Sequence, residues 1–429
     1  MMPIIIILLM VAVLYVGYKT DVNIGILGMS VAFVVGAFGL DMSPGALIGM
    51  WPTRLFVLMV TIPYFYNFAM LNGTLEKLAS NIIYLFRKIP WAMPIVMFVL
   101  SYVLAGIGAG QQVSTVMLVP VAMSIAIETG MSPILAALAV FLGGAGGFTP
   151  ISMIGLVINS LVVQVGYSQE IADAIGIQTM FNVLKACVVM FAICYFAFKG
   201  YKTSLKDINI KKPEPFDEKQ KITLGIIGVF VAILVFPFVI NFLVPGIPFI
   251  VTLTKKVDVV FVSTICAVAA TLLKVADEKA ALARVPWRVA IMLCGISILI
   301  GVAAEAGAVD LLSNFVSANA STGLAPVFLA IASALLSLVV SGNVVNMTFF
   351  PLVPGLVAAI SGLNPGVLFT SIAVGGFFSA VSPFSTAGGL ILGSIQYDDI
   401  RDNVYKWLLA MPFILTFMLI VLITIGVVN

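Results

Sequence analysis

The chain has 429 residues, of which 62% are hydrophobic and only 9% charged, with a formal net charge of +3 and a mean hydropathy of +1.20. A soluble domain carries roughly 25% charged residues, so this composition excludes a water-facing globular surface and points to a polytopic helical membrane protein. The absence of histidine excludes His-based acid–base catalysis, an HExxH zinc site and a Ser–His dyad.

Taken in chain order, spans long enough to cross a ~30 Å hydrocarbon core are expected near 4–18, 22–40 and 54–72. The first, MMPIIIILLMVAVLYVGYK, lacks a basic n-region and a small-residue cleavage site and reads as a retained span rather than a signal peptide. An amphipathic segment at 74–88 (LEKLASNIIYLFRKIP over 75–90) is expected to lie along the membrane surface. Two apolar arms at 91–107 and 116–129 follow, then a long broken span at 132–163 and a span at 177–198. The polar stretch 199–221 reads as a loop. Beyond it come 222–244, 258–273, 289–304, a second pair of arms at 325–340 and 347–360, a broken span at 365–395, and 407–427.

The arms 116–129 and 347–360 are too short for a full crossing, which needs about 20 residues, so each pair reads as a re-entrant hairpin with a polar tip. Each half then has five true crossings. With the N-terminus outside, seventeen of the 21 Lys and Arg residues fall on the inner side, against Arg54, Lys255 and Lys256 outside and Lys185 within a span. The positive-inside rule therefore places both termini outside and the 199–221 loop in the cytoplasm. The cell location expected is the inner (cytoplasmic) membrane.

An odd number of spans per half makes a repeated half inverted. The register is consistent: Lys19-x-Asp21 with Lys256-x-Asp258, Pro52-x-Arg54 with Pro286-x-Arg288, Gly73-x-x-Glu76 with Gly307-x-x-Asp310, and Pro120 with Pro351. In the broken spans Gly143-Gly144 matches Gly375-Gly376, and TPIS (149–152) matches SPFS (382–385). The expected fold is thus all-α, with two inverted-topology repeats, 1–198 and 222–429, joined by the linker 199–221. Each carries a hairpin (91–129, 325–360) and a Pro-broken helix (132–163, 365–395), the pattern that marks a secondary transporter's binding site.

The hairpin tips are GAGQQVST (108–115) and SGNVVNMT (341–348); the breaks are GGAGGFTPIS (143–152) and GGFFSAVSPFS (375–385). A proline inside a helix costs about 3 kcal/mol and frees backbone groups, and glycine permits left-handed turns. Freed carbonyls and hydroxyls suit a small hard cation; half-helix N-termini suit an anion. Singly, Ser114 or Thr386 is more readily explained by back-bonding to its own helix. As two symmetric clusters they point to a site.

Glu128, Glu305 and Asp310 fall near span ends, and the lack of a mid-membrane carboxylate favours Na⁺ over H⁺ coupling. Lys185 is read as snorkelling, with a substrate counter-ion as the lesser option. Arg54 and Arg288 are read as interfacial anchors first and anion-steering groups second. Cys187, Cys194, Cys266 and Cys294, all in apolar segments without CxxC spacing, read as buried thiols.

This layout resembles the ion transporter superfamily, with its divalent anion–sodium symporters and MatC-type malonate/dicarboxylate carriers, over essentially the whole chain. The symporters' Ser-Asn-Thr tip motif stands ten residues before a proline. Those positions here are Gly110-Gln111-Gln112 and Ser341-Gly342-Asn343, so the amide-and-hydroxyl character is kept and the motif is not. The departure favours the MatC-like branch. The resemblance implies a homodimer working as an elevator on malonate or a related carboxylate.

The leading expectation is Na⁺-coupled uptake of a small carboxylate. Its substrate residues are Gly110, Gln111, Gln112, Ser341, Gly342, Asn343, Thr149, Ser382 and Thr386. Its Na⁺ ligands are Ser114, Thr115, Gly144, Thr149, Ser152, Asn346, Gly376, Ser379, Ser382 and Ser385. The expected partners are the carboxylate, the bilayer and a second copy, with no nucleic acid and no organic cofactor. Alternatives are a larger or aromatic carboxylate, a proton-coupled or antiporting relative, an anion exporter, and a channel. An enzyme is the weakest reading, for want of a catalytic dyad.

Overall fold

A computed structural model describes residues 2–429 apart from 21, 87, 204–211, 245–246, 310, 312–313, 315–322, 339–341, 394 and 396–397. Among the described residues there are helices and no strands, as a bilayer demands of an open chain. The first half runs α1 (Met2–Thr20), α2 (Ile24–Gly39), α3 (Pro44–Gly49), α4 (Thr53–Leu71), α5 (Thr74–Phe86), α6 (Met93–Leu104), α7 (Gln111–Thr129), α8 (Pro133–Gly143), α9 (Met153–Gln164) and α10 (Gln169–Ala197). The second half begins α11 (Glu218–Leu243), α12 (Pro248–Lys256), α13 (Val259–Leu272), α14 (Glu278–Ala283) and α15 (Trp287–Glu305). It continues α16 (Leu324–Ser337), α17 (Gly342–Phe349), α18 (Leu352–Ala359), α19 (Pro365–Ser379), α20 (Thr386–Gly393) and α21 (Asp398–Thr424).

The boundaries follow local chemistry. Asn23, Ser43, Ser168, Asp217, Asp258, Asp277 and Asn364 each cap a helix N-terminus with a side-chain oxygen. Among the described residues five helices are long and apolar enough to cross a membrane, or up to seven if each bent pair counts as one span; shorter apolar helices such as Ile24–Gly39 and Val259–Leu272 accompany them. This is a multi-pass membrane protein.

The second arms of both hairpins differ from expectation. The second arm of the first hairpin is a 19-residue helix that starts at Gln111 rather than 116. Gly110, at φ +85°, reverses the chain at once, and the two glutamines form the first helical turn. The second arm of the second hairpin is split instead: α17 and α18 bend by 43° at Phe350–Pro351. In the first broken span the bend between Pro133–Phe148 and Met153–Gln164 is 44°, with Thr149 extended and Ser152 as N-cap.

The halves interlock crosswise: α2 packs on α15, and α4 on α13. Asn23 Nδ2 donates to the Arg288 carbonyl at 2.9 Å, and Arg54 pairs with Asp258 at 3.3 Å. Asn23 caps α2 as Asp258 caps α13. Asp21 and Asp310 lie outside the described residues. Gly25 and Gly295 let α2 and α15 approach until backbone meets backbone. Beside this frame, each hairpin packs on its own broken helix, α6 against α8 and α16 against α19. The amphipathic α5 buries Leu75, Ala79 and Ile83. Asn72 bonds Thr223 at 2.7 Å, and Lys77 Nζ donates to the Pro215 carbonyl at 3.1 Å, which pins the linker to the α4–α5 corner.

Candidate functional site

The site lies where the two hairpin tips meet the two helix breaks. At the first tip the chain passes through a π-turn, Ala105–Ala109, with Gly108 at φ +112°. The break following α8 lies against it. Thr149 Oγ1 donates to the Gly106 carbonyl at 2.6 Å, and Ser152 Oγ to the Ala105 carbonyl at 2.8 Å. Gly144 abuts Gln111, so that a Cβ there would fall 2.6 Å from Gln111 Cγ. In the second half Gly376 abuts Gly342, with a would-be Cβ 3.5 Å from its Cα. The glycines of each break are therefore the surface on which a hairpin tip rests.

Both tetrapeptides form the same turn. The Ser152 amide donates to the Thr149 carbonyl at 3.0 Å, and the Ser385 amide to the Ser382 carbonyl at 2.9 Å. Their hydroxyls differ in target. Ser385 Oγ bonds the carbonyls of its own break, Ala380 and Ser382, and accepts from the Gly388 amide. Phe148 of one break meets Phe377 before the other edge-on at 5.3 Å, and Phe377 stacks on Phe141 at 5.0 Å.

Between tips and breaks lies a cavity of about 220 Å³. Of the expected residues, Gln111, Gln112, Thr115, Gly342, Asn343, Asn346 and Ser385 line it. Gly110 stands immediately behind, as the N-cap of α7. Ser114 is fully buried and, with Thr115, bonds the Gln111 carbonyl at 2.9 and 2.8 Å. Thr149 and Ser152 form a hydroxyl–carbonyl cluster with Ala105 and Gly106 beside the cavity, and Ser382 lies in the corresponding cluster with Ser385. Ser379 is buried at the end of α19. Ser341 lies outside the described residues, as does the side chain of Thr386, whose backbone opens α20.

Four helices begin at this cavity: α7 at Gln111, α9 at Met153, α17 at Gly342 and α20 just before Ala387. Each N-terminus carries roughly +0.5 charge and orphan amides. Those of α7 and α9 have no side-chain cap, because Gly110 has no side chain and Ser152 spends its hydroxyl on Ala105. Nothing ionisable is among the described residues that line the cavity. Gln111 Nε2 and Asn346 Oδ1 are buried without a hydrogen-bond partner among the described residues, two polar groups that a water or a ligand would satisfy. The remaining wall is apolar, chiefly Phe148, Phe377, Phe384, Met153 and Ile154.

Three participants were not singled out in the sequence. Ser101 and Ser337 tie the hairpins to the helices before the breaks, and extending the repeat register one turn back from the tips would have flagged them. Tyr66 of α4, 2% exposed and with its hydroxyl unpartnered among the described residues, lies against the tip at Gly108. Lys185 donates to the Asn429 side chain at 3.1 Å, away from the cavity.

The family model for the N-terminus of the dicarboxylate carrier protein MatC matches residues 1–148. No curated protein matches the chain. Among solved structures, the crystal structure of the Alcanivorax borkumensis YdaH transporter, described as having an unusual topology, is similar. It is 15% identical with a TM-score of 0.56, over 89% of this chain and 87% of that one, a likeness of fold.

Proposed function

We propose that this protein is a secondary active transporter that takes up a small carboxylate, of the malonate or C4-dicarboxylate class, together with Na⁺. The observation that carries the reading is the neutral 220 Å³ cavity on which four helix N-termini converge from both halves of the chain. Aimed amides and dipoles hold an anion at membrane depth without a cationic side chain. Gln111, Gln112 and Asn343 add amide donors, and the small volume, below the ~300–1,000 Å³ of drug-sized pockets, suits a ligand of few atoms. The MatC match supports a dicarboxylate carrier, and with the transporter fold it makes the chain a carrier rather than an enzyme.

Na⁺ is the coupled cargo in this reading. The hydroxyls and carbonyls of the two clusters are neutral hard oxygens, which fit a monovalent hard cation. Among the described residues no group of His, Cys, Asp or Glu could hold a metal ion. Ser114, Thr115, Thr149, Ser152 and the carbonyl of Gly144 would serve one ion; Asn346, Ser379, Ser382, Ser385 and the carbonyl of Gly376 would serve another.

The finer reading is an inverted pair of five-span repeats with both termini outside. In it the two hairpins and broken helices slide as one bundle against the crosswise frame, in a homodimer. The denser packing of each hairpin on its own broken helix, and of α2 on α15 and α4 on α13, than of α4 and α15 on the hairpins and breaks supports it. The decisive experiment is uptake of radiolabelled malonate and succinate into proteoliposomes under an inward Na⁺ gradient. Uptake indifferent to Na⁺ but driven by a pH gradient sinks the coupling. Three phenylalanines in the wall favour one second reading, an aromatic carboxylate, which the same assay tests by competition with benzoate.

A further inference from the structure

A second space lies on the side of the molecule where α4 begins and α15 ends. Two cavities of about 400 Å³ each share Gln164, Ser297 and Gly301, and so form one crevice. One wall is α15 with the α3–α4 corner; the other is the end of α9 and the second arm of the second hairpin. Its two ends differ in chemistry. Trp51 and Arg54 stand at one, and Leu161, Ile300, Met347 and Phe350 line the other.

Depth and polarity narrow the occupant. Ser297 lines both cavities, is 2% exposed, and its hydroxyl has no partner among the described residues. It lies eight residues from the helix end at Glu305, about 12 Å along the axis, or most of one ~15 Å leaflet. The Arg54 side chain is 53% exposed and meets Asp258 through one nitrogen at 3.3 Å. A guanidinium has five donors, so most of its fork is available to a second anion. A tryptophan and an arginine above an apolar slot one leaflet deep match the profile of a lipid, with its phosphate at the interface and its chain below.

We propose that this crevice is a binding site for one anionic phospholipid. Its phosphate rests on Arg54, and an acyl chain runs down past Ser297 between α15 and the second hairpin. A dicarboxylate fits the apolar end poorly, because its second charge would be left unpaired there. The lipid stands between the crosswise frame and the hairpin–break bundle, so its occupancy bears on any motion of one past the other.

The test uses the full chain purified in a neutral detergent, stripped of lipid, and titrated with palmitoyl-oleoyl phosphatidylglycerol or phosphatidylcholine. Bound lipid is counted by native mass spectrometry, and the unfolding midpoint is followed in parallel. One phosphatidylglycerol is expected to bind preferentially and raise the midpoint. Arg54→Gln should lower that affinity about tenfold by removing a charge-assisted hydrogen bond. Ala304→Phe, which fills the crevice from an exposed position on α15, should abolish binding, with Ala304→Leu as the milder filler.

Equal binding of the two lipids in wild type and Arg54→Gln overturns the proposal, and so does undiminished binding in both Ala304 variants. Displacement by free oleate at equal affinity, or stabilisation by malonate that depends on Arg54, assigns the crevice to another ligand and overturns it equally. Because none of these readouts involves transport, they stand apart from the carboxylate reading.

Discussion

Ser337 donates its hydroxyl to the carbonyl of Gly376 at 2.7 Å, and Ser101 does the same to Val140, also at 2.7 Å and 236 residues earlier in both donor and acceptor. Each bond joins the first arm of a hairpin to the helix that precedes a break. Ser101 is 0% and Ser337 2% exposed, so each bond is made by a buried hydroxyl. Removing a buried donor costs about 1–3 kcal/mol. Ser101→Ala and Ser337→Ala should each lower the unfolding midpoint in detergent, and on separate halves their effects should add. A variant as stable as wild type would mean that the hairpins are held by packing alone.

The tip itself rests on Gly108. At φ +112° an L side chain is strained, and a Cβ would fall 2.5 Å from the Tyr66 ring. Gly110, at φ +85°, faces open space instead. Gly108→Ala should therefore combine backbone strain with overpacking of about 1–3 kcal/mol, whereas Gly110→Ala carries the strain alone. Carboxylate uptake and thermal stability should both fall further for Gly108→Ala. Equal losses would show that Tyr66 gives way.

These two residues mark the limit of what the sequence discloses. Apolar length and proline placement located the helices well: 54–72 is observed as Thr53–Leu71, and the broken span 132–163 as Pro133–Gln164. Hydropathy failed at Gln111, because it discards amides from a span even where they form a helix's first turn. It also passed over α12 and α14, too short and too polar to stand out as spans. Within the site, the amides and hydroxyls were legible as types, but not which carbonyl each would meet. Nothing in PYFYNF or SYVLA tells that Tyr66 lies under a hairpin tip or that Ser101 reaches Val140. The crosswise pairing of Arg54 with Asp258, 204 residues away, is equally silent, since it depends on how two halves fold through each other.

At the cavity, Gln111→Leu and Asn343→Ala should weaken carboxylate binding by about tenfold each, the cost of one amide donor to a charged ligand. Gln111→Glu should do more, because it sets a negative charge at a helix N-terminus where the substrate's own charge belongs. Thermal-shift titration with malonate and succinate reads this directly, since a ligand stabilises by mass action. Unaltered stabilisation in Gln111→Glu would remove the cavity from the substrate path.

Pro150 and Pro383 keep the two turns open. With alanine the backbone N–H returns and the helix can close over the break, withdrawing the carbonyls of Thr149 and Ser382. Pro150→Ala and Pro383→Ala should raise the Na⁺ concentration needed for half-maximal uptake more than they lower expression. Unchanged Na⁺ dependence in both would reduce the breaks to packing features.

The pH dependence should belong to the substrate rather than to the protein. No ionisable group is among the described residues that line the cavity, and the chain has no histidine, so the site itself does not titrate near neutrality. A dicarboxylate does, through its second carboxyl. Protonation removes negative charge that the helix N-termini would otherwise hold, so at fixed Na⁺ uptake should decline as pH falls through that carboxyl's pKa. It should be complete above it. Malonate and succinate differ in their second pKa, and the midpoints of their uptake profiles should differ in the same order. Profiles with one common midpoint would instead point to a titrating protein group, and with it to proton coupling.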